Sequence, residues 1–215
     1  MKSTKEVING LARFGANPVK ANNNSLKWCN GNREKCKALF IEIFKAVDKT
    51  ITDFHYLEEY DEIIDWMTDT KGKGLLLTGG CGRGKSVIAT GVIPVLLKMA
   101  TNCVVRAVHA ENFEKSCDIT VEGMPKNSLN IDYLCATAYP IIDDIGVEVQ
   151  LGYYGEKYEG VNRVLNVAEQ RAKAVFITTN LSDKEIAKRY GVRTIDRLIR
   201  LCRFIEFKQD ESLRR

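Results

Sequence analysis

The chain has 215 residues, of which 45% are hydrophobic and 28% are charged, a composition typical of a folded, water-soluble domain. No apolar run approaches the ~20 residues that a membrane-spanning helix needs, and the first residues lack the apolar segment of a signal peptide. The seven cysteines form no C-x-x-C pair, which speaks against a structural zinc site and favours reduced thiols in a cytoplasm. We therefore expect a cytoplasmic protein with one full domain and a modest appendage.

The formal net charge of +4 at pH 7 conceals an uneven distribution along the chain. Residues 1–50 carry a net charge of +6, residues 51–183 carry −7, and residues 184–215 carry +5. Two basic ends around an acidic middle suit a polyanionic partner. Ordinary solvated helix faces explain either end equally well when it is taken alone.

Stretches with apolar residues at helical spacing alternate with short apolar runs along most of the chain. Leu39, Ile43 and Val47, for example, recur at the spacing of an amphipathic helix. Alternating strands and helices favour a parallel sheet covered on both faces, and such sheets bind ligands at the carboxyl ends of their strands. We predict helices at residues 8–14, 33–49, 57–68, 86–97, 161–171, 183–190 and 194–201 and a further helix from residue 110, with strands at 74–78, 102–108, within 139–146, at 174–180 and at 203–207.

Residues 79–86 read Gly-Gly-Cys-Gly-Arg-Gly-Lys-Ser and fit the phosphate-loop pattern G-x-x-x-x-G-K-[ST] between a predicted strand and a predicted helix. Glycines let successive backbone N–H groups point at phosphate oxygens, and the following helix directs its positive end at the same anion. Lys85 supplies charge to the phosphates, and the Ser86 hydroxyl can ligate Mg²⁺. A chance glycine-rich turn is the alternative. The candidate nucleotide-binding residues are Gly79, Gly80, Cys81, Gly82, Arg83, Gly84, Lys85, Ser86 and Val87.

Two later strands end in polar side chains of the kind that such a site requires. Asp143 suits the acidic element that holds Mg²⁺ through its water shell, and Asp144 is placed to polarise the attacking water, with Glu148 as a substitute. A turn or helix cap would also explain the two aspartates. Asn180 ends the next strand, where its amide could hold the lytic water or the γ-phosphate. A helix N-cap is the alternative for this asparagine.

The order of four motifs resembles a known family. The phosphate loop is followed by Ile-Ile-Asp-Asp-Ile-Gly-Val-Glu at 141–148, Ile-Thr-Thr-Asn-Leu-Ser at 177–182 and Tyr-Gly-Val-Arg-Thr-Ile-Asp-Arg-Leu at 190–198. This combination resembles the AAA+ ATPases of the DnaC/DnaI helicase-loader type, with the IstB transposition ATPases as close relatives. The resemblance covers about residues 56–215 and implies a P-loop αβα sandwich with a parallel sheet and little or no helical lid.

The resemblance also implies roles for particular residues. Asn180 would be sensor 1, and Arg197 would reach the γ-phosphate of a neighbouring subunit, with Arg193 in reserve. A salt-bridged helix face is the alternative for these arginines. The tail at 210–215 resembles the family's Gly-x-Ser-x-Arg, with Asp210 in place of the glycine, so that Arg214 would be sensor 2.

These assignments predict an ATPase with catalytic residues Lys85, Asp144, Asn180 and Arg197, and with Mg²⁺ held by Ser86 and Asp143. We expect residues 1–55 to form a helical partner-docking region and residues 56–215 the ATPase domain. The resemblance implies a helicase loader that binds a replicative helicase and single-stranded DNA and assembles with copies of itself when ATP is bound.

Two other functions stay open at this point. The first is an IstB-like transposition helper that binds duplex DNA and a transposase. The second is a small-molecule kinase, against which stand Asn180 and the arginine cluster. Tyr153, Tyr154 and Tyr158 would suit base stacking on single strands, although ordinary packing explains them equally well.

Overall fold

The computed structural model describes residues 25–49, 54–113, 120–121, 124–125, 128–149, 151–153 and 156–208. The helix predicted at residues 8–14 and the proposed sensor 2 residue Arg214 therefore lie outside the described residues. The described chain divides into two compact units, the first holding residues 25–72 and 84–106 and the second residues 73–83 and 107–208. No helix among the described residues is both long enough and apolar enough to span a membrane.

The first unit is helical. Helix α1 is Arg33–Val47, and its N-cap is Asn32, whose side chain accepts a hydrogen bond from the Lys35 amide. Helix α2 is Glu59–Thr68. Helix α3 has three consecutive segments, α-helical Lys85–Val87, π-helical Ile88–Val92 and α-helical Ile93–Thr101.

Aromatic rings join α1 and α2 in the first unit. The ring centroids of Phe40 and Tyr60 lie 5.1 Å apart, and those of Phe44 and Tyr60 lie 5.6 Å apart. All three side chains are buried. Ahead of α1, the fully buried Trp28 donates its indole N–H to the Leu96 carbonyl oxygen at 3.0 Å. The predicted domain boundary between residues 55 and 56 stays a prediction. Helix α1, which precedes it, packs on helix α2, which follows it.

The second unit is built on a five-stranded parallel sheet with the order β2-β5-β8-β1-β9. Two short antiparallel ribbons, β3–β4 and β6–β7, pair separately. The strands are β1 (Gly74–Gly79), β2 (Val108–His109), β3 (Thr120–Val121), β4 (Met124–Pro125), β5 (Ile141–Ile145), β6 (Leu151–Tyr153), β7 (Glu156–Tyr158), β8 (Phe176–Thr179) and β9 (Cys202–Phe207).

Four α-helices accompany this sheet, and a 3₁₀ turn at Ala110–Phe113 follows β2. Apolar side chains from the strands and helices form one buried core, in which Leu76 of β1, Ile142 of β5 and Leu198 are each 0% exposed. The helices are α4 (Ser128–Ala136), α5 (Gly160–Gln170), α6 (Asp183–Tyr190) and α7 (Val192–Leu201).

Most predicted elements are confirmed to within a few residues, but the second strand is not, and the described start of the helix predicted from residue 110 is a 3₁₀ turn, Ala110–Phe113. Residues 102–107 were predicted to be extended, whereas only Val108–His109 pair with the sheet. The reason is that α3 continues to Thr101, and Asn102 ends it in the left-handed conformation with φ of 61°. Val104, which the apolar pattern places in the core, is 79% exposed.

Candidate functional site

The sheet reverses its strand order at β1. The chain passes from β1 to β2 at the far edge, returns through β5 and β8 to the side of β1, and then adds β9 on the other side. Ligands of open parallel sheets bind beyond the carboxyl ends of the strands at such a reversal. In this sheet the first part of the phosphate loop, residues 79–83, follows the carboxyl end of β1, so the loop sequence begins where the topology predicts a ligand.

The loop has the backbone conformation that its glycines permit. Gly79, Gly82 and Gly84 have φ values of 110°, 79° and 85°, a region that residues with a Cβ rarely adopt. Gly79 also lies so close to β9 that an added Cβ would be 2.0 Å from the Phe207 carbonyl oxygen. Helix α3 begins at Lys85, directly after Gly84. Strand, glycine turn and helix start therefore follow one another as the phosphate-loop pattern requires.

In the first unit, aromatic rings lie against the end of this loop. A Cβ on Gly84 would be 3.1 Å from Phe44 Cζ and 3.3 Å from the Tyr60 hydroxyl. Further along α3, a Cβ on Gly91 would be 2.9 Å from a methyl group of Val47. Helix α1 thus contacts both the loop glycine and the π-helical segment of α3, and α2 contacts the loop glycine.

Asp143 is the third of the five residues of β5, and its carboxylate is held by β8. It is 6% exposed, and the 2%-exposed Thr178 donates its hydroxyl to Asp143 Oδ1 at 2.6 Å. The same Thr178 oxygen accepts the backbone N–H of Asp144 at 2.8 Å. One threonine hydroxyl therefore fixes the carboxylate of the first aspartate and the backbone of the second.

Asp144 has an unusual backbone and a more accessible side chain. Its φ is 59°, and the pairing of β5 with β8 is irregular between Ile142 and Ile145. The Asn180 side-chain amide donates to Asp144 Oδ1 at 3.3 Å, and His109 Nε2 lies 4.0 Å from Asp144 Oδ2. With its side chain 28% exposed, Asp144 can still reach a water molecule. The structure thus brings together the predicted Asp143, Asp144 and Asn180.

Glu148, the predicted substitute for Asp144, is 4% exposed and is engaged at both carboxylate oxygens. Its Oε2 accepts the Gly146 backbone N–H at 2.8 Å, and its Oε1 accepts the Tyr190 hydroxyl. Burial first, and then this hydrogen bond, raise the pKa of Tyr190, so that the hydroxyl stays protonated and donates. Arg189 donates to the carbonyl oxygens of Gly146 and Glu148.

Sequence reasoning missed two side chains near the aspartates. Thr178 belongs to a quoted motif but received no role, because its contact with Asp143 depends on how β8 pairs with β5. His109 ends β2 and is in register with Asp143. Its place could not be read from the sequence, because most of the predicted second strand does not form.

The arginines of α7 differ in their surroundings. Arg197 Nε lies 3.0 Å from Glu169 Oε2, and Arg200 Nη2 lies 3.0 Å from Glu169 Oε1. Arg193 is exposed. Arg197 is thus a member of an ion-pair cluster within its own chain, and its assignment as the arginine that acts on a neighbour stays a prediction.

The residues fit a magnesium–nucleotide complex better than a metal cage. Within the described ranges, no group of three or more His, Cys, Asp or Glu side chains could hold a metal ion. Mg²⁺ bound with a nucleotide takes one or two carboxylates and completes its shell with phosphate oxygens and water. Asp143, a buried carboxylate fixed by Thr178, is suited to that role.

The fold and the loop sequence define an α/β protein of the P-loop class, and the predicted fold class is confirmed. No protein-family model matches the sequence, and no curated protein matches it. Three solved structures do share its fold. The structure of DnaI has a TM-score of 0.57 and 18% identity, covering 77% of this chain and 93% of that one.

The structure of the DnaC helicase loader has a TM-score of 0.55 and 16% identity, covering 77% of this chain and 98% of that one. A structure described as a primosome component of Streptococcus pyogenes serotype M3 has a TM-score of 0.55 and 19% identity, covering 81% of this chain and 91% of that one. At such low identity the likeness establishes a common fold.

Proposed function

We propose that this protein binds ATP with Mg²⁺ on its phosphate loop, hydrolyses it, and acts as a DnaC-like loader of a replicative helicase onto single-stranded DNA. The observation that carries the proposal is the group of Asp143, Asp144 and Asn180 at the carboxyl ends of β5 and β8. These strands lead back to β1, from which the loop departs. The common fold with the DnaC helicase loader supports the choice among P-loop functions.

Each residue has a role that its chemistry supports. Lys85 neutralises phosphate charge, and Ser86 and Asp143 hold Mg²⁺, directly and through water. Asp144 polarises the attacking water, and Asn180, which donates to Asp144, orients it without adding negative charge. Bound Mg²⁺ supplies charge neutralisation at the transferred phosphoryl group.

Assembly would complete the site. An arginine of α7, Arg197 or Arg193, would reach the γ-phosphate bound by a neighbouring copy, because a guanidinium can neutralise charge that develops in the transition state. The isolated chain would then hydrolyse ATP slowly. Arg214 would contact the nucleotide as sensor 2.

The proposed partners follow from charge and from the helicase-loader fold. The basic ends of the chain suit the phosphate backbone of single-stranded DNA, and the tyrosines at 153, 154 and 158 suit base stacking. Residues 1–55 would dock on the helicase. The protein would act in the cytoplasm, where replication proteins meet DNA.

The test is ATP hydrolysis measured across protein concentration, alone and with single-stranded or duplex DNA. We expect stimulation by single strands and a rate that rises more steeply than linearly with concentration. Preferential stimulation by duplex DNA would instead indicate a transposition helper. Turnover that is independent of both concentration and DNA would contradict the proposal and favour a small-molecule enzyme.

A variant pair localises the activity. Lys85→Ala should abolish ATP binding, because it removes the charge at the phosphates. Lys98→Ala, on the same helix, removes a lysine whose ammonium group donates to Asn102, and it should leave ATP binding unchanged. Near-normal ATP affinity in Lys85→Ala would refute the site.

A further inference from the structure

The segment after Asp144 is fastened to α6 by a buried carboxylate. Glu148 has a side chain that is only 1% exposed, yet it makes no contact that the proposed chemistry requires. Its two oxygens accept from the Gly146 amide and from the Tyr190 hydroxyl, and Arg189 lies 3.7 Å from Oε1. A buried carboxylate is retained only when its hydrogen bonds offset its desolvation.

We propose that Glu148 is a positioning residue, which holds the turn at residues 145–148 so that Asp144 keeps its left-handed backbone and its contact with Asn180. The inference rests on the proposed function, because it assigns Glu148 a role in the hydrolysis that Asp144 would perform. It also removes Glu148 from the candidates for the residue that activates water.

Hydrogen-bond capacity decides between the two acids. A carboxylate that activates water needs an oxygen free to accept a proton from it. Both Glu148 oxygens already accept a hydrogen bond from a donor within the same chain, and because the side chain is 1% exposed, water has no ready access to their remaining lone pairs. Asp144 accepts a weaker 3.3 Å bond from Asn180 at one oxygen, has His109 Nε2 4.0 Å from the other, and keeps its side chain 28% exposed.

The turn at residues 145–148 can fix the position of Asp144 because the backbone from Asp144 to Gly146 has little conformational freedom. Asp144 has φ of 59° and Gly146 has φ of 111°, and an added Cβ on Gly146 would lie 2.8 Å from Leu181. Leu181 directly follows Asn180. A shift of the turn would therefore be transmitted to both sides of the Asp144–Asn180 contact.

The hydrogen bonds from α6 prevent that shift. Arg189 donates to the carbonyl oxygens of Gly146 and Glu148, while Tyr190 holds the Glu148 carboxylate. Tyr190 and α7 are tied in turn, since Thr194 donates to the Tyr190 carbonyl oxygen at 2.8 Å. The helix pair that carries the candidate arginines therefore also holds the turn beside the candidate base.

The experiment compares three variants of the full chain. Glu148→Gln keeps the shape and one acceptor oxygen, so we expect kcat to stay within about threefold of the wild type. Asp144→Asn should lower kcat at least about 100-fold, as loss of a general base does. Tyr190→Phe should lower kcat about tenfold with an unchanged KM for ATP, because it displaces the reacting geometry and leaves nucleotide binding intact.

Hydrogen exchange of the Gly146 amide supplies a readout that does not depend on activity. Tyr190→Phe should speed exchange in peptides covering residues 144–149 about tenfold, because the acceptor of that amide loses its anchor. Tyr56→Phe is the matched control, since it removes a tyrosine–carboxylate bond of 2.9 Å, to Asp61, in the first unit. It should change neither kcat nor exchange at 144–149.

The outcomes separate this inference from the proposed function. A 100-fold loss of kcat in Glu148→Gln would overturn it and make Glu148 the base. Equal effects of Tyr190→Phe and Tyr56→Phe would also overturn it, because the bond would then serve stability alone. If the wild type hydrolyses no ATP, the proposed function fails, and unchanged exchange at Gly146 in Tyr190→Phe then decides against the positioning role.

Discussion

Thr178→Val tests the arrangement of the two aspartates most directly. Valine keeps the shape of threonine but has no hydroxyl. The substitution removes the 2.6 Å hydrogen bond to Asp143 Oδ1 and the acceptor of the Asp144 amide at 2.8 Å. Because Thr178 is 2% exposed, water cannot readily replace either bond.

The two losses set the magnitude. A hydrogen bond to a charged group contributes about 1.5–3 kcal/mol, and a buried amide without a partner costs about 1–3 kcal/mol. The two terms overlap, so we expect a loss of ~3 kcal/mol in the free energy of unfolding, which corresponds to about 6–12 °C in Tm for a chain of this size. The Mg²⁺ concentration that half-saturates ATP hydrolysis should rise about tenfold, because Asp143 loses the partner that orients it.

Thr179→Val is the matched control. Thr179 is 0% exposed, donates to the Ile145 carbonyl oxygen at 2.7 Å and accepts from the Leu181 amide at 3.1 Å. Loss of the Thr179 hydroxyl should lower the free energy of unfolding about as much as Thr178→Val does, but it should leave the Mg²⁺ requirement of ATP hydrolysis unchanged. Thermal unfolding and Mg²⁺ titration of the two variants decide the matter. A Thr178→Val variant within ~0.5 kcal/mol of the wild type and with the same Mg²⁺ requirement would refute the reasoning.

Three further predictions concern other parts of the chain. Timed alkylation followed by mass spectrometry should show that the exposed Cys81 reacts before the buried Cys29, Cys36 and Cys202, because burial raises the pKa of those three thiols. ATP should slow the reaction at Cys81 if the loop binds phosphate. The pKa of Asp69 is lowered to about 2, first by the hydrogen bond from the Ser25 hydroxyl and then by that from the Lys71 amide. Because this pKa is depressed in the fold, the stabilisation is present above about pH 4 and is lost toward pH 2. Urea unfolding at pH 6 and pH 2.5 should show a drop that is ~1 kcal/mol smaller in Ser25→Ala, a value reduced because the Asp69 side chain is 37% exposed. Gly146→Ala should lower Tm more than Gly191→Ala, because both have positive φ but only the Gly146 position lacks room for a Cβ; equal losses in thermal unfolding would show that backbone strain alone matters.

The elements that could be predicted from the sequence are those specified by nearby residues. The strand β1, the glycine turn and the start of α3 follow a fixed local pattern. Helix α6 begins where predicted, because Ser182 and Glu185 form a capping box at its N-terminus. The prediction of the second strand was wrong. Its apolar, β-branched residues favour a strand locally, and nothing in them indicates that α3 continues up to this stretch and ends at Asn102.

The candidate site was predictable in its residue types but not in its contacts. The carboxyl ends of neighbouring parallel strands meet at one edge, which is why Asp143, Asp144 and Asn180 could be expected together. The hydrogen bond from Thr178 to Asp143 joins residues 35 positions apart, and the one from Tyr190 to Glu148 joins residues 42 positions apart. Contacts of that range depend on strand register and on the β5 irregularity, neither of which has a signature in the sequence.

Helix α1 and the residues ahead of it bear on the predicted boundary between residues 55 and 56. Trp28, Leu39, Phe40, Ile43 and Phe44 are all at most 1% exposed, and burial of each such side chain contributes about 1.5–3 kcal/mol. Their gross sum is about 10 kcal/mol, from which the conformational entropy lost on folding must be subtracted. Because the ring of Phe44 also lies against Gly84, α1 packs directly on the end of the candidate phosphate loop. A partner that docks on residues 1–55 must therefore leave the inner face of α1 in place and use its polar, outward face.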